Sequence, residues 1–529
     1  DPVLLSVQGP VATIVLNRPE RLNTFTPALL EALLAVLDEV AGLDGVRVVV
    51  LTGAGTAFCA GGDLREGLGT MLGEDEGLKR TLNRYARRAV VGTVDSYGET
   101  ALKLVSDTIR GWDAKTITDP KCYSQRELVD EAFKTIRAKA PLDKAHLDGM
   151  EPFWVVSRHA DIKEIERQPE FFHNGDKSTF LTTLDGSERT KMLTGGEPNL
   201  IRSLVSVDGK EHKDLRGVVF PHVTPRAIRP LEEAIRGIAR EFVDHMLSFD
   251  GEVDFAQDVA FLYPLRVIMQ VLGVPKEDEP FMLKLTQELF NNADPELNRA
   301  RAELSPEDML KSLWETTMEL ENYFKAVTEK FRANPTEQVN SLIANAKIDG
   351  EYLNHRQMMG YYIIAATAGH DTTSNTTAGA MWALAERPQL LAQMQARPEL
   401  INAFVEESIR WEVPVKHFMR SAVADCEIGG QQIRKDDWLM LSYQSGNRDE
   451  SVWADPFEFR IDRESNPQIA FGYGVHVCLG QHLARMEMRI LWEELFKRLK
   501  SVEMNGTGER TISNFVCGPK HVPIRFTVN

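Results

Sequence analysis

The chain has 529 residues, 43% of them hydrophobic and 26% charged, and a formal net charge of −17. That length allows more than one domain with a sizeable core, and the acidic balance excludes a nucleic-acid partner on electrostatic grounds. Five cysteines (Cys59, Cys122, Cys426, Cys478 and Cys517) are scattered and odd in number, which fits a reducing, cytoplasmic setting and not a disulfide scaffold. No apolar run approaches membrane-spanning length, so no membrane partner is expected.

In chain order, Val11 to Leu16 reads as a strand, and Asn17-Arg18-Pro19-Glu20 as a turn, because proline cannot continue a ladder. Pro27 to Val40 reads as a helix with Leu29, Leu30, Leu33, Leu34 and Leu37 on one stripe, and Val46 to Leu51 as a second, fully apolar strand. This order predicts a βαβ unit with parallel strands and a right-handed crossover. The run Ala57-Phe58-Cys59-Ala60-Gly61-Gly62-Asp63-Leu64, taken with Asn17-Arg18-Pro19, resembles the first part of the enoyl-CoA hydratase (crotonase) family. That resemblance implies that Ala60, beside Gly61, offers one backbone N–H of an oxyanion hole for a CoA-thioester enolate. Neither the second donor nor the later carboxylate of that family is found. Residues 1–72 are therefore expected to be a partial, truncated crotonase-like βαβ fragment and not a working CoA-thioester enzyme. Residues 73–100 are expected to be a linker, introduced by the glycine- and acid-rich run from Gly67 to Gly77, with Leu78 to Val91 either helical or the remainder of the fragment.

From residue 101 to 529 the pattern is that of one large, mainly α domain with small β-sheets. Arg126 to Lys139 reads as a helix, Pro152 to Val156 as a strand and His159 to Gln168 as a helix; Phe171 to Val207 has little periodicity and reads as a long functional loop. Asp208 leads into a helix that carries His212 and Arg216 four apart, hence on one face, where two donors suit a pair of carboxylates or a solvated surface equally. Gln357 to Glu386 reads as one long apolar helix with Ala368-Gly369-His370-Asp371-Thr372-Thr373 at its middle; Thr hydroxyls that bond back to carbonyls would bend it there. Glu407 and Arg410 lie three apart on a further helix, a spacing that a surface ion pair also satisfies.

The most informative stretch is Phe471-Gly472-Tyr473-Gly474-Val475-His476-Val477-Cys478-Leu479-Gly480, followed by a helix from Gln481 to Leu499. Gly472 and Gly474 permit a tight turn with positive φ. Cys478 falls at a loop-to-helix junction, where the helix N-terminus is expected to lower the thiol pKa and favour a metal-binding thiolate.

This stretch resembles the haem-ligand loop of the cytochrome P450 family, and the landmarks before it follow that family's order, including Asn447-Arg448-Asp449. The runs from Ala365 to Ser374, Cys478 to Ala484 and Asn514 to Val516 are similar to the soluble, bacterial, terpineol-hydroxylating branch. The resemblance implies haem b as cofactor with Cys478 as its iron ligand. It implies further cofactor contacts at Phe471, Gly472, Gly480 and Ala368, and propionate contacts at His212, Arg216, Arg420 and His476. Asp371 and Thr372 would handle protons in oxygen activation, and Glu407, Arg410 and Arg463 would form a structural triad. Ile364, Thr367, Ala368, Phe515 and Val516 would line the substrate pocket, where ordinary core packing explains them nearly as well. The implied activity is insertion of one oxygen atom from O2 into a small apolar substrate, a monoterpenoid or alkyl-aromatic, with electrons from an iron–sulfur ferredoxin and its separate reductase. The alternatives are a CoA-thioester enzyme built on the N-terminal segment and a non-catalytic haem sensor or carrier.

Overall fold

The computed structural model describes residues 113–529 throughout and, before them, residues 2–8, 11–18, 48–54, 90–91 and helical positions between 29 and 40. The chain forms two compact units, Asp1–Trp112 and Asp113–Asn529.

In the first unit Val11–Leu16 pairs in parallel with Val48–Gly53, and the described positions from 29 to 40 are helical, as the βαβ pattern requires. Ala12, Ile14 and Leu16 alternate inward and pack with Leu29, Leu33 and Val40, the period-two and helical spacings meeting in one small core. Two strands go beyond the sequence reading. Val3–Gln8 pairs antiparallel with Val11–Leu16, and Val90–Val91 pairs in parallel with Val48–Gly53. Val90 and Val91, the end of the stretch read as either a helix or the remainder of the fragment, form a strand of the first unit; residues 78–89 lie outside the described residues. Ala60 and Gly61 lie outside the described residues.

The second unit is mainly helical. The elements that matter to its site are α1 (Gly209–Val219), α2 (His355–Ala368), α3 (Asp371–Ala385), α4 (Ile401–Glu412) and α5 (Gln481–Arg498). A five-stranded sheet runs in the spatial order Leu142–Ala145, Phe153–Val156, Trp438–Ser442, His417–Ala422, Phe172–His173. Its central pair is parallel, and every residue of Phe153–Val156 and Trp438–Ser442 is buried, which explains their unbroken apolar sequence. The main core gathers α3 and α5 around Phe404 and Trp492, whose rings meet edge to face at 5.0 Å. Among the described residues no helix is long and apolar enough to cross a membrane.

Two readings of the second unit need correcting. The loop expected from Phe171 to Val207 contains a helix, Leu184–Thr194, capped by the Thr183 hydroxyl and closed by Gly195 in the left-handed region. None of its residues is buried, so it carries no apolar stripe from which it could be read. The single helix expected from Gln357 to Glu386 is two. The ladder breaks at Gly369-His370, where the His370 N–H reaches Thr367 O at 3.2 Å, and resumes with Ser374 N–H to His370 O at 3.0 Å. A Cβ at Gly369 would lie 2.7 Å from Ile268, so glycine is what lets the Tyr263–Leu272 helix pack against the break.

Candidate active site

The cysteine loop is shaped by its glycines. Gly472 and Gly474 have φ of 69° and 67°, and a Cβ on Gly474 would stand 2.0 Å from the Glu166 carbonyl oxygen. The Cys478 N–H donates to Phe471 O at 2.9 Å, which closes the loop on itself. The backbone N–H groups of Gly480 and Gln481, at the start of α5, point at the sulfur. The sequence led to a lowered thiol pKa, but burial outweighs those N–H groups and the Arg216 and Arg485 guanidiniums, so the free thiol is pushed up. The Arg485 guanidinium lies over the Phe471 ring, 4.5 Å from its centroid.

The donors expected at the cofactor's edge meet one another. The rings of His212 and His476 stand 4.0 Å apart. Arg216 donates to Val477 O at 2.8 Å, and Arg420 is near enough to act on His476 electrostatically. Burial, with His476 and Arg216 alongside, drives His212 down to about 4. The sequence reading missed the carboxylates that hold these donors. Asp208 accepts from the backbone N–H groups of Asn174 and Gly175 and faces His476 Nε2 at 3.5 Å. Glu166 accepts from Arg420 at 3.1 Å and from the Tyr443 hydroxyl at 2.7 Å; burial nevertheless pushes it up to about 7.

Asp371 is 2% exposed, and burial alone raises its carboxyl to about 7. Its Oδ1 lies 3.3 Å from His370 Nδ1, and its Oδ2 has no partner. His370 Nε2 donates to Phe261 O at 2.8 Å, and its Nδ1 stands 3.0 Å from the Thr286 hydroxyl, so the imidazole is held by partners other than Asp371. The Thr372 hydroxyl donates back to Ala368 O at 2.8 Å. Ile364, Ala365, Ala368, Gly369 and Thr372 are partly accessible along helices whose other faces are buried, and their spacing makes one stripe. Thr367 is off that stripe, buried, with its hydroxyl on Ile363 O. Phe515 joins an aromatic cluster with Phe180, Phe290 and Phe418. Val516 is buried in a bridge to Val415. Glu487, absent from the sequence reading, is a buried carboxyl that hydrogen-bonds Thr373 and is lifted far above the usual range by burial.

Glu407 and Arg410 are fully buried, so they are not a surface pair. Arg410 meets both carboxylate oxygens, at 2.8 and 2.7 Å, and Arg463 Nε reaches the same carboxylate at 3.1 Å. Arg410 also donates to the carbonyls of Asn447, Pro456 and Glu458.

The cytochrome P450 family model matches residues 148–526. The chain belongs to the cytochrome P450 family. Cytochrome P450-terp of a Pseudomonas species is 44% identical over 78% of this chain and 97% of the relative. Linalool 8-monooxygenase of Pseudomonas putida is 31% identical over 77% and 98%. The crystal structure of CYP108D1 from Novosphingobium aromaticivorans superposes with a TM-score of 0.73 at 41% identity, covering 79% of this chain and 99% of that one. A second family model, enoyl-CoA hydratase/isomerase, matches residues 6–93. The protein is thus a P450 monooxygenase, and haem b is its cofactor. The residues present fit that group. Four donors, His212, Arg216, Arg420 and His476, gather in one place and could meet a pair of carboxylates, and His212 Nε2 is buried with no partner. A glycine turn and a buried thiol faced by two backbone N–H groups stand at the start of α5, a donor set that suits a thiolate ligand.

Proposed function

We propose that the protein hydroxylates a small apolar monoterpenoid or alkyl-aromatic molecule, with electrons delivered by an iron–sulfur ferredoxin and its reductase in the cytoplasm. Cys478 would hold the haem iron, and the N–H groups of Gly480 and Gln481 would steady its sulfur as a thiolate. Phe471, Gly472 and Ala368 would contact the macrocycle. His212, Arg216, Arg420 and His476 would hold the propionates. When bound, the haem supplies oxygen activation, to which a thiolate ligand contributes electron density.

The chain's own residues then position substrate and move protons. Ile364 and Ala368 on the accessible stripe, with Phe515 of the aromatic cluster, offer an apolar wall and no charged anchor, which suits a small hydrocarbon or alcohol. Thr367 and Val516 would support that wall from behind. Asp371, neutral below about pH 7, can give up a proton at Oδ2, which has no hydrogen-bond partner in the protein, and take one back from water. The single observation that carries the substrate class is the similarity to Cytochrome P450-terp and Linalool 8-monooxygenase over nearly their whole lengths. The test is a screen of haem spectral shifts with terpineol, linalool and alkyl-benzenes, followed by product analysis with a bacterial ferredoxin system. A spin-state shift only with charged or polycyclic compounds would overturn the substrate reading.

Two expectations follow for α3. Thr372→Ala should bind haem and substrate normally but divert most electrons to peroxide; full coupling of electrons to product would sink the proton role. Asp371→Asn should slow turnover by about 10²-fold, the scale of a lost general acid. It should also change stability in a pH-dependent way. The folded pKa of Asp371 is raised from 3.8 to about 7, so the wild type loses stability as pH climbs between those values, about 4 kcal/mol in all. Asn mimics the neutral acid. The variant should therefore match the wild type near pH 4 and exceed it above pH 7 in thermal unfolding.

The first unit is proposed to be dispensable for oxygenation. Every residue assigned above lies between 166 and 516. Removing residues 1–95 should leave haem content and substrate-induced spectra unchanged; a haem-free or substrate-blind product would place part of the haem domain in that segment.

A further inference from the structure

A cavity of about 560 Å³ lies between the start of the Arg126–Lys139 helix, the middle of α3, the end of α4 and the Glu509–Arg510 strand. No residue assigned to the cofactor or the substrate lines it. Its inner wall is built around Glu412, which is fully buried and takes Arg126 at 2.5 Å and Arg510, with Lys416 Nζ 3.9 Å away. Beside it, the guanidiniums of Arg448, Arg126 and Arg387 stand 4.7, 5.0 and 5.5 Å from the centroid of the Trp411 ring.

These five cations share three carboxylates: Glu412, Asp130 at 3.9 Å from Arg448, and Glu386, which already accepts from Arg387 and the Trp382 indole. Lys520, also on the wall, is matched by Asp294 and Glu296. The rim acids Glu127 and Glu509 are exposed, so water screens them. At the inner wall Arg126, Arg510 and, behind them, Lys416 therefore share the single buried carboxylate of Glu412, a local surplus of positive charge that is costly to bury without an anion. Burial accordingly pulls Lys416 down to about 8 and Arg448 down to about 9. The Arg510 side chain is 8% exposed and its Nε is buried with no hydrogen-bond partner. Guanidinium groups recognise carboxylates in plane. The indoles of Trp382 and Trp411 add flat apolar surface to the same wall, which a bare inorganic anion would leave unused.

We propose that this cavity binds a small monocarboxylate with a flat, apolar body, its oxygens toward Arg510 and Arg126 and its body against Trp382. Such an acid lies two two-electron oxidations beyond a primary alkyl-aromatic or terpenoid alcohol, through the aldehyde, as nicotinamide-dependent dehydrogenases carry out, so the site would let an oxidised end product report back on the enzyme. The last point alone rests on the proposed substrate class; the binding itself does not.

The test is calorimetric titration of the full-length holoenzyme, its haem saturated with 4-phenylimidazole to block the distal pocket, with 4-isopropylbenzoate. One equivalent should bind. The neutral 4-isopropylbenzyl alcohol should bind at least about tenfold more weakly, the scale of one lost charged hydrogen bond. Arg510→Gln and Trp382→Leu should each weaken the acid by a similar factor. Arg387→Gln, at a half-buried position that folding tolerates more readily, should weaken it measurably with haem content unchanged. Absence of binding to the azole-saturated enzyme, or equal affinity in all three variants, would overturn the proposal. So would inorganic phosphate binding as tightly as the acid, which would mean an adventitious ion only.

Discussion

Cys478→Ala is expected to abolish turnover and to remove the red-shifted Soret band of the ferrous–CO complex that reports thiolate ligation. The physical case rests on what surrounds the sulfur. As a free thiol Cys478 is held protonated by burial, against the pull of two backbone N–H groups and two guanidiniums. A metal ion reverses that balance, because a coordinated thiol is deprotonated and its charge is then met by donors already in place. Alanine would leave those N–H groups aimed at nothing and the iron without the anionic ligand proposed for it. Cys478→His tests the same point more sharply. It supplies a ligand of the wrong charge at a loop whose Gly474 already abuts the Glu166 carbonyl, so haem should be retained less well and with an imidazole-type spectrum. A thiolate-type CO spectrum in Cys478→Ala would mean that another of the cysteines is the ligand.

The legibility of this site in the sequence depended on distance along the chain. Features set within one turn or loop could be read. Gly472 and Gly474 do take positive φ, His212 and Arg216 do share a face of α1, and Glu407 and Arg410 do pair at i,i+3. What could not be read were partners brought in from far away. Glu166 looks like one more solvated acid at the end of the His159–Glu166 helix, yet it is buried under Arg420, 254 positions later. Asp208 reads as the residue before a helix and turns out to steady His476. Glu487 sits in a helix whose charged residues hide its inward turn.

The opposite error arose where packing did not constrain the chain. The Leu184–Thr194 helix has no buried face, so it left no hydrophobic period to detect. Between α2 and α3 the sequence pointed to a bend, and the Thr372 hydroxyl does bond back to Ala368 O, but the full break of the helix was not legible. The apolar pattern continues through it, while the contact that demands Gly369 comes from Ile268, a hundred residues earlier. The thiol of Cys478 was misjudged because the helix N-terminus is a local feature and burial is not.

The second large effect is expected at Glu407. Replacing it with alanine should cost about 3–5 kcal/mol, the scale found when one partner of a buried ion pair is removed, against a typical total of about 5–15 kcal/mol. Two guanidiniums, Arg410 and Arg463, lose their shared carboxylate, as do the Arg460 N–H at 2.7 Å and the Asn466 amide at 3.1 Å. Arg460, Arg463 and Asn466 lie on the segment from 454 to 466 that leads into the cysteine loop, so the loss should appear as poor haem incorporation as well as a lowered unfolding midpoint. An apolar double replacement, Glu407→Leu with Arg410→Met, should not rescue it. Removing both charges spares the cost of an unpaired ion, but Arg410 also donates to three carbonyls: Pro456 O would lose its side-chain donor, at about 1–3 kcal/mol, while Asn447 O would keep only Arg448 at 3.5 Å and Glu458 O only Arg463. The triad is in this sense a clamp on backbone as much as an ion pair. Full haem loading and a wild-type midpoint in Glu407→Ala would refute that reading. So would recovery of both in the double variant, since the carbonyls would then be shown to need no donor.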